Sequence, residues 1–347
     1  MINQKQASQR KYNYLGLRVE AGLVLALSST LMLLIVPSPA HTGQAATDTS
    51  QPIQKNFATP SEAANALIQA AEVFDVTALK QILGPEGEDL ISSEDPVQDK
   101  NLAAAFAAKA HQKHSIAMDP KNTSRGFLVV GNEEWPWPVP IVTQNGTWFF
   151  ATKAGIREIL FRRIGSNELD AIQICRGYVE AQREYALEKH DGSEVNQYAQ
   201  RIISTTGKRD GLVWRNPDGS LGGPIAEPIA KALQQGYSHR SQPYHGYYFK
   251  VLKGQGPSAP LGQLDFVVNG AMIGGFALAA APADYRVTGV KSFLVSYQGI
   301  VYEKDLGPDT LKIFKDMKLF DPDKTWKLTN DNWPPEVAKT FLMKPKP

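Results

Sequence analysis

The sequence predicts an α+β protein: N-terminal helices with a curled antiparallel sheet, then a long spine helix carrying a C-terminal antiparallel meander. Three observations predict it. Residues 167–190 place Ala171, Ile174, Tyr178, Ala181 and Tyr185 at helical spacing, and Ile172, Cys175 and Val179 widen that apolar seam. Ahead of the seam, capped or alanine-rich helical stretches give way to short apolar runs joined by a hairpin signal. Behind it, aromatic and β-branched runs recur between glycine turns. A seam of this length needs partners on two sides. The spine is therefore read as joining an α+β domain (57–164) to a helix-plus-sheet domain (165–320), with 46–56 as linker and 321–347 as a Pro- and Lys-rich tail, only partly ordered.

Residues 1–45 read as an export signal. Lys5, Arg10, Lys11 and Arg18 precede an apolar run at 22–36, and Pro37 breaks it. Gly43-Gln44-Ala45 offers a small-x-small cleavage site, with Ser38-Pro39-Ala40 as a second. The run is short against the roughly 20 residues of a spanning helix. The expected location is thus periplasmic or secreted by the general route, with an uncleaved N-terminal membrane anchor as the alternative. No cysteine follows the run to take a lipid, and Arg10-Lys11 is not a twin-arginine pair.

Charge narrows the partners. Of 37 Lys and Arg, four lie in residues 1–45, and of 35 Asp and Glu one does, which leaves 33 against 34. A near-neutral body implies no broad attraction to nucleic acid or anionic lipid. Cys175 is the one cysteine, so no internal disulfide exists and the core must hold the fold. Its place on the apolar flank of the spine makes it a buried small hydrophobe rather than a nucleophile.

The remaining elements follow in order. Thr59-Pro60-Ser61-Glu62 is a capping box that starts a helix through about Phe74. Asp75-Val76-Thr77 restarts it, and the second piece ends at Leu83 before Gly84-Pro85. Residues 96–118 form the next helix, with Leu102 and Phe106 inward. Strands follow at 126–130, 139–143 and 147–152, with Asn145-Gly146 turning between the last two. Trp135-Pro136-Trp137-Pro138 is an edge or loop, because proline donates nothing to a ladder. A short helix spans 155–164, Gly165-Ser166 breaks it, and Asn167 caps the spine with Glu168 and Asp170 in the first turn. Beyond the spine the expectation is a short helix at 196–204, a helix at 224–235, strands at 246–253, 265–268, 275–281, 289–297 and 300–304, and a last helix at 311–317.

Candidate functional residues carry two readings each. His190-Asp191-Gly192 ends the spine, and could also set an imidazole and a carboxylate at a cleft mouth. The three Asp-Gly pairs at Asp191, Asp210 and Asp218 read as turns, since none shows the ligand alternation of a calcium loop. Alternation from Tyr244 sends His245, Tyr247 and Phe249 to one face and Tyr244 and Tyr248 to the other, where an aromatic surface could take glycan or peptide. Trp135 and Trp137, stiffened by proline, are either a plug over the sheet or a recognition surface. His111 and His114 stand three apart on the expected helix, without a third metal ligand near in sequence. Gly254-Gln255-Gly256 lacks the strand–turn–helix context of a dinucleotide loop, and no Gly-x-Ser-x-Gly elbow is present. The candidate ligand-binding set is therefore Trp135, Trp137, His190, Asp191, Tyr244, His245 and Tyr248. No catalytic residue, metal ligand or cofactor site is assigned.

Long stretches of this chain also resemble a known family. They include DLISSEDPVQD (89–99), WPWPVP (135–140), EILFRRIGSNELDAI (158–172), CRGYVEAQREYA (175–186), HDG (190–192), YAQRIIST (198–205), GKRDGL (207–212), PYHGYYFKVLKGQGP (243–257) and the run 272–307. Over roughly residues 57–315 the chain is similar to an uncharacterised bacterial family, domain of unknown function 2950. That resemblance implies an exported bacterial protein and brings no activity or site residues with it. The spine and TGVKSFLVSYQGIVY (288–302) look like the globular part of type IV pilin-like proteins, although a whole domain precedes the spine here and no prepilin-type leader is present. The order of elements in 57–164 looks like the nuclear-transport-factor-2-like fold. The function expected from all this is a non-enzymatic binding or interaction module of the cell envelope, with an unknown envelope protein or small ligand as partner. A periplasmic hydrolase-like enzyme with its site at the domain junction, and a pilin-like assembly subunit, are the alternatives.

Overall fold

The computed structural model of the chain describes residues 54–238 and 242–330. They belong to one compact unit that begins at Ser50. The stretch expected to be an export signal, most of the expected linker and the tail from residue 331 lie outside the described residues.

The α+β class is observed, and the helices begin at their caps. α1 (Pro60–Glu72) starts with Thr59 Oγ1 accepting the Glu62 amide at 3.1 Å. α2 (Val76–Leu83) restarts behind Asp75, whose carboxylate accepts the Ala78 amide at 3.0 Å. A 3-10 turn, Pro85–Gly87, and α3 (Glu88–Ile91) lead to α4 (Pro96–Gln112), capped by Asp95. α4 is shorter than expected, because residues 114–119 pair as a strand. Its inward face also differs. Leu102 is 47% exposed, whereas Phe106 packs inward against Trp137 as expected, and Ala107 and Ala110 are buried beside it. α4 packs on α1, whose buried residues include Ala63, Ala64, Ala70 and Ala71. Small alanine faces on both helices leave room for their backbones to approach.

β1 (His114–Asp119), β2 (Asn122–Val130), β3 (Trp135–Pro136), β4 (Ile141–Gln144) and β5 (Thr147–Phe150) form one antiparallel sheet in the order β1-β2-β4-β5, with β3 paired to β2. Asn145 and Gly146 turn β4 into β5 with φ of 52° and 78°, the left-handed pair that a two-residue hairpin requires. The proline-flanked stretch is a short edge piece, as its chemistry demands.

The spine is the main correction. The short helix at 155–164 and the spine are one element, α5 (Thr152–Tyr185), 34 residues long. Gly165 and Ser166 do not break it. A glycine inside a helix costs about 1 kcal/mol, and the buried contacts on either side outweigh that. Asn167 is therefore a mid-helix residue and caps nothing. The expected seam is present except at Ile174, which is only half-buried: Ala171, Ile172, Cys175, Tyr178, Val179, Ala181 and Tyr185 are all buried. Burial also pushes the Cys175 thiol up to about 12. A thiol reagent should leave native protein unlabelled and label it fully in guanidinium, as read by intact mass.

After the spine, the helix expected at 196–204 is replaced by β6 (Arg201–Ile203), parallel to β7 (Gly211–Arg215), which pairs with β8 (Leu221–Gly222). Buried Gln182 decides this. Its amide donates to the Ala199 carbonyl and its carbonyl accepts the Ala199 amide, both at 2.8 Å, so backbone groups a helix would use are taken by the spine. α6 (Ala226–Gln234) follows.

The meander then appears as β9 (Tyr247–Leu252), β14 (Ala277–Pro282), β15 (Lys291–Ser296), β16 (Val301–Asp305) and β17 (Lys327–Leu328), in the spatial order β17-β16-β15-β14-β9. Between β9 and β14 lie the two-residue strands β10 (Gly254–Gln255), β11 (Leu264–Asp265), β12 (Val267–Val268) and β13 (Ala271–Met272), so the strand expected at 265–268 is split. α7 (Thr310–Asp316) packs on β14. One core cluster lies among α1, α2, α4 and the first sheet; the other joins α5 to the meander. No described helix is long and apolar enough to cross a membrane.

Candidate functional site

A tight turn reaches into the seam between the two core clusters. Tyr244 and Tyr247 exchange backbone hydrogen bonds of 2.8 and 3.1 Å around His245 and Gly246, with φ of 49° and 73°. This is a two-residue hairpin turn with both central residues left-handed, and a histidine occupies the position that asparagine usually takes. The strict alternation expected from Tyr244 onward therefore fails at His245, because strand geometry begins only at Tyr247. Gly246 has no room for a side chain: an added Cβ would lie 2.6 Å from Asn167 Nδ2 and 2.8 Å from Thr288 Cβ.

Two carboxylates hold the turn. Asp95, 1% exposed, accepts the Gly246 amide at 2.9 Å and the Tyr237 hydroxyl at 3.0 Å on Oδ2, while Oδ1 accepts the Gln98 amide at 3.0 Å and caps α4. The Tyr237 oxygen in turn accepts the His245 amide at 3.4 Å. Burial, then the nearby Asp95 charge, holds the Tyr237 phenol above its ordinary range, so it remains a donor at neutral pH. Asp170 on α5 forms the second hold: its Oδ2 lies 3.0 Å from His245 Nδ1, with the imidazole 26% and the carboxylate 36% exposed. A carboxylate only accepts, so in the neutral ring the proton sits on Nδ1 and Nε2 keeps its lone pair. Nε2 has no hydrogen-bond partner among the described residues.

Aromatic rings wall the imidazole. The Tyr244 ring stacks on it with centroids 4.1 Å apart, and Tyr237 meets Tyr244 edge-on at 4.8 Å. Burial and then Asp170 raise the Tyr244 phenol, so it too stays neutral. Asn167 ties the elements together, donating to the Thr288 carbonyl at 2.9 Å and accepting from the Gln98 side-chain Nε2 at 2.8 Å. Below it, Arg163 of α5 donates to the Asp89 and Leu90 carbonyls at 2.7 and 2.8 Å and faces Asp99 at 3.8 Å. Burial is the main reason that the Asp99 carboxyl sits above its usual value despite Arg163 and the two bonds from Ser93.

The sequence candidates are scattered. His245, Tyr244 and Tyr248 share the junction; burial, then Glu94 and Asp95, raise the Tyr248 phenol. His190 lies elsewhere, just past the end of α5: its Nε2 pairs with the Tyr185 carbonyl at 2.9 Å, and its ring stacks on Tyr185 at 3.9 Å. The adjacent Asp191 accepts the Arg209 amide at 2.8 Å and lies in a left-handed turn with Gly192. His190 and Asp191 thus fasten the 209–214 segment and do not join His245. Trp137 is 8% exposed, between Phe106 and Phe150, while Trp135 carries the Arg162 guanidinium over its ring at 5.1 Å. His111 ends α4 and pairs with Glu72, whereas His114 begins β1. Among the described residues no three acidic, His or Cys groups cluster to hold a metal.

Sequence reasoning missed Asp95, Asp170, Tyr237 and Asn167. Asp95-Pro96 carries a legible helix-start signal, but its bond to Gly246 spans 151 residues. In the sequence, helix polarity is enough to account for Asp170. Residues 54–329 match the model of a family described as "Protein of unknown function (DUF2950)". No curated protein and no solved structure matches.

Proposed function

Because the chain belongs to this family of proteins of unknown function, matched over residues 54–329, the site alone must supply the chemistry, and we propose that it is a ligand-binding module whose ligand meets the His245 turn. One observation carries this reading: a partly exposed histidine, oriented by a carboxylate and stacked on tyrosine, sits on left-handed backbone. A side chain held there stores strain that persists only where its surroundings over-determine it, and such residues gather at binding and catalytic sites. The Nε2 lone pair accepts a hydroxyl or amide N–H, and the Tyr244 face takes an apolar surface beside it. That combination suits a sugar ring or a short peptide. The basic and then apolar character of residues 1–45 supports export to the cell envelope, with a cleaved signal or an N-terminal anchor.

The test is histidine-selective NMR of the imidazole nitrogens during titration with envelope glycan fragments and short peptides. A shift of the His245 Nε2 resonance that saturates, and affinity lower by roughly 10–100-fold in His245→Ala, is the expected result. Saturation with His245 unmoved would place the ligand elsewhere.

The oriented imidazole also favours a second reading, a periplasmic hydrolase in which Nε2 takes a proton from water. Turnover of ester, amide or glycoside probes that is lost in both His245→Ala and Asp170→Asn would select it over simple binding.

A further inference from the structure

We propose that the loop 256–264 is a preformed apolar anchor that seats Leu261 in a pocket of a partner protein. Leu261 is 84% exposed and has φ of 73°. A leucine gains nothing intrinsic from the left-handed region, so the loop must hold it there. Gln255 does so from inside. The residue is 1% exposed, and its side-chain amide donates to the carbonyls of Pro260 and Gly262, on both sides of Leu261, at 2.6 Å each. The base of the loop is fixed as well. Gly256 donates to the Phe320 carbonyl at 2.9 Å, Ser258 donates to Asp321 Oδ1 at 2.7 Å, and Ala259 is buried. A buried side chain with both N–H groups engaged is thus used to keep an apolar side chain in water.

The surroundings favour a protein pocket. Residues 254–264 contain no charged side chain, and Leu264 and Leu319 are partly exposed beside them, with Leu319 Cδ2 over Gly254. Charge depletion around an apolar centre is the pattern of interface cores. The nearby charges, Lys253 and Lys318 against Asp265 and Asp321, balance and make no basic collar for anionic lipid. Leu261 alone offers a bilayer little, since even a full myristoyl chain binds only marginally. A rigid loop, by contrast, spares a protein complex the ordering cost that a flexible one would bear. This surface is separate from the His245 turn, and its test does not depend on that reading.

The experiment is photo-crosslinking in the source cell with a diazirine leucine analogue at position 261 of the full chain. The expected result is one protein adduct of defined mass. Excess wild-type protein should compete it away, and Leu261→Gly protein should not. With the crosslinked partner purified, Leu261→Gly should bind it roughly 10–100-fold more weakly, as the loss of one buried leucine requires. The same variant should melt about 2 °C higher, because glycine relieves the left-handed strain. A merely structural leucine would show no such opposition of stability and binding. Adducts to lipid alone, the absence of a discrete protein adduct, equal competition by Leu261→Gly, or a lower melting point would each overturn the proposal.

Discussion

Asp95→Ala is expected to destabilise the folded chain by about 3 kcal/mol. The carboxylate is buried and accepts three donors from three elements: the Gln98 amide of α4, the Gly246 amide of the turn and the Tyr237 hydroxyl. Alanine leaves the last two inside the protein without an acceptor, and removes the cap of α4 as well. Asp95→Asn should fare little better. Its Oδ1 can still serve Gln98, but an NH2 group would then face two donors. Tyr237→Phe is the calibrating variant. It removes one donor to Asp95 and only the long 3.4 Å acceptor of the His245 amide, and leaves the shared carboxylate in place, so it should cost about 1 kcal/mol. Urea midpoints at constant slope report all three. If Asp95→Ala and Tyr237→Phe move the midpoint equally, Asp95 is not the clamp between the two core clusters.

The second large effect lies where α5 begins. Gly155→Ala would place its Cβ 2.4 Å from the Pro138 carbonyl oxygen and 2.5 Å from Val139 Cα. Both are backbone atoms and neither can rotate away, so the helix must lift from the segment that leads into β4. Overpacking in a core costs about 1–3 kcal/mol when side chains can adjust. With backbone on both sides the upper end, about 3 kcal/mol, is expected. Gly165→Ala on the same helix is the opposite case, because its Cβ would meet nothing within 4 Å. Alanine there should stabilise by about 0.5–1 kcal/mol through helix propensity alone. Opposite signs from one substitution type on one helix would show that contact, and not glycine itself, decides the outcome. A destabilised Gly165→Ala would contradict that.

The reach of local sequence follows the same division. Thr59 and Asp75 announce their helices because a cap acts on an amide three residues away. Asn145-Gly146 announces its hairpin because two left-handed residues in succession suit few other pairs. The buried seam of α5 and four strands of the meander, β9, β14, β15 and β16, are legible because periodicity is a property of consecutive residues, whereas β17 lies in the stretch that reads as a tail and the strand expected at 265–268 stays outside the sheet. The errors arise where a distant group outbids the local preference. Asn167 and Gly165 read as a boundary, yet packing on both sides carries the helix through them. Residues 196–204 read as helical until Gln182 claims the Ala199 backbone. His245-Gly246 reads as strand because histidine is seldom asked to be left-handed, and only the two anchors from Asp95 and Asp170 keep it so.

What the sequence determined by itself is the class, the helices α1, α2 and α4, the hairpin at Asn145-Gly146, the main strands of the meander and the choice of most core faces, each encoded within a few residues. The tertiary structure alone decided which carboxylate meets which imidazole. That His245 is oriented by Asp170 and locked by Asp95 depends on pairings 75 and 151 residues apart. Such pairings leave no local trace, because a hydrogen bond depends on distance and direction in space and is indifferent to separation along the chain.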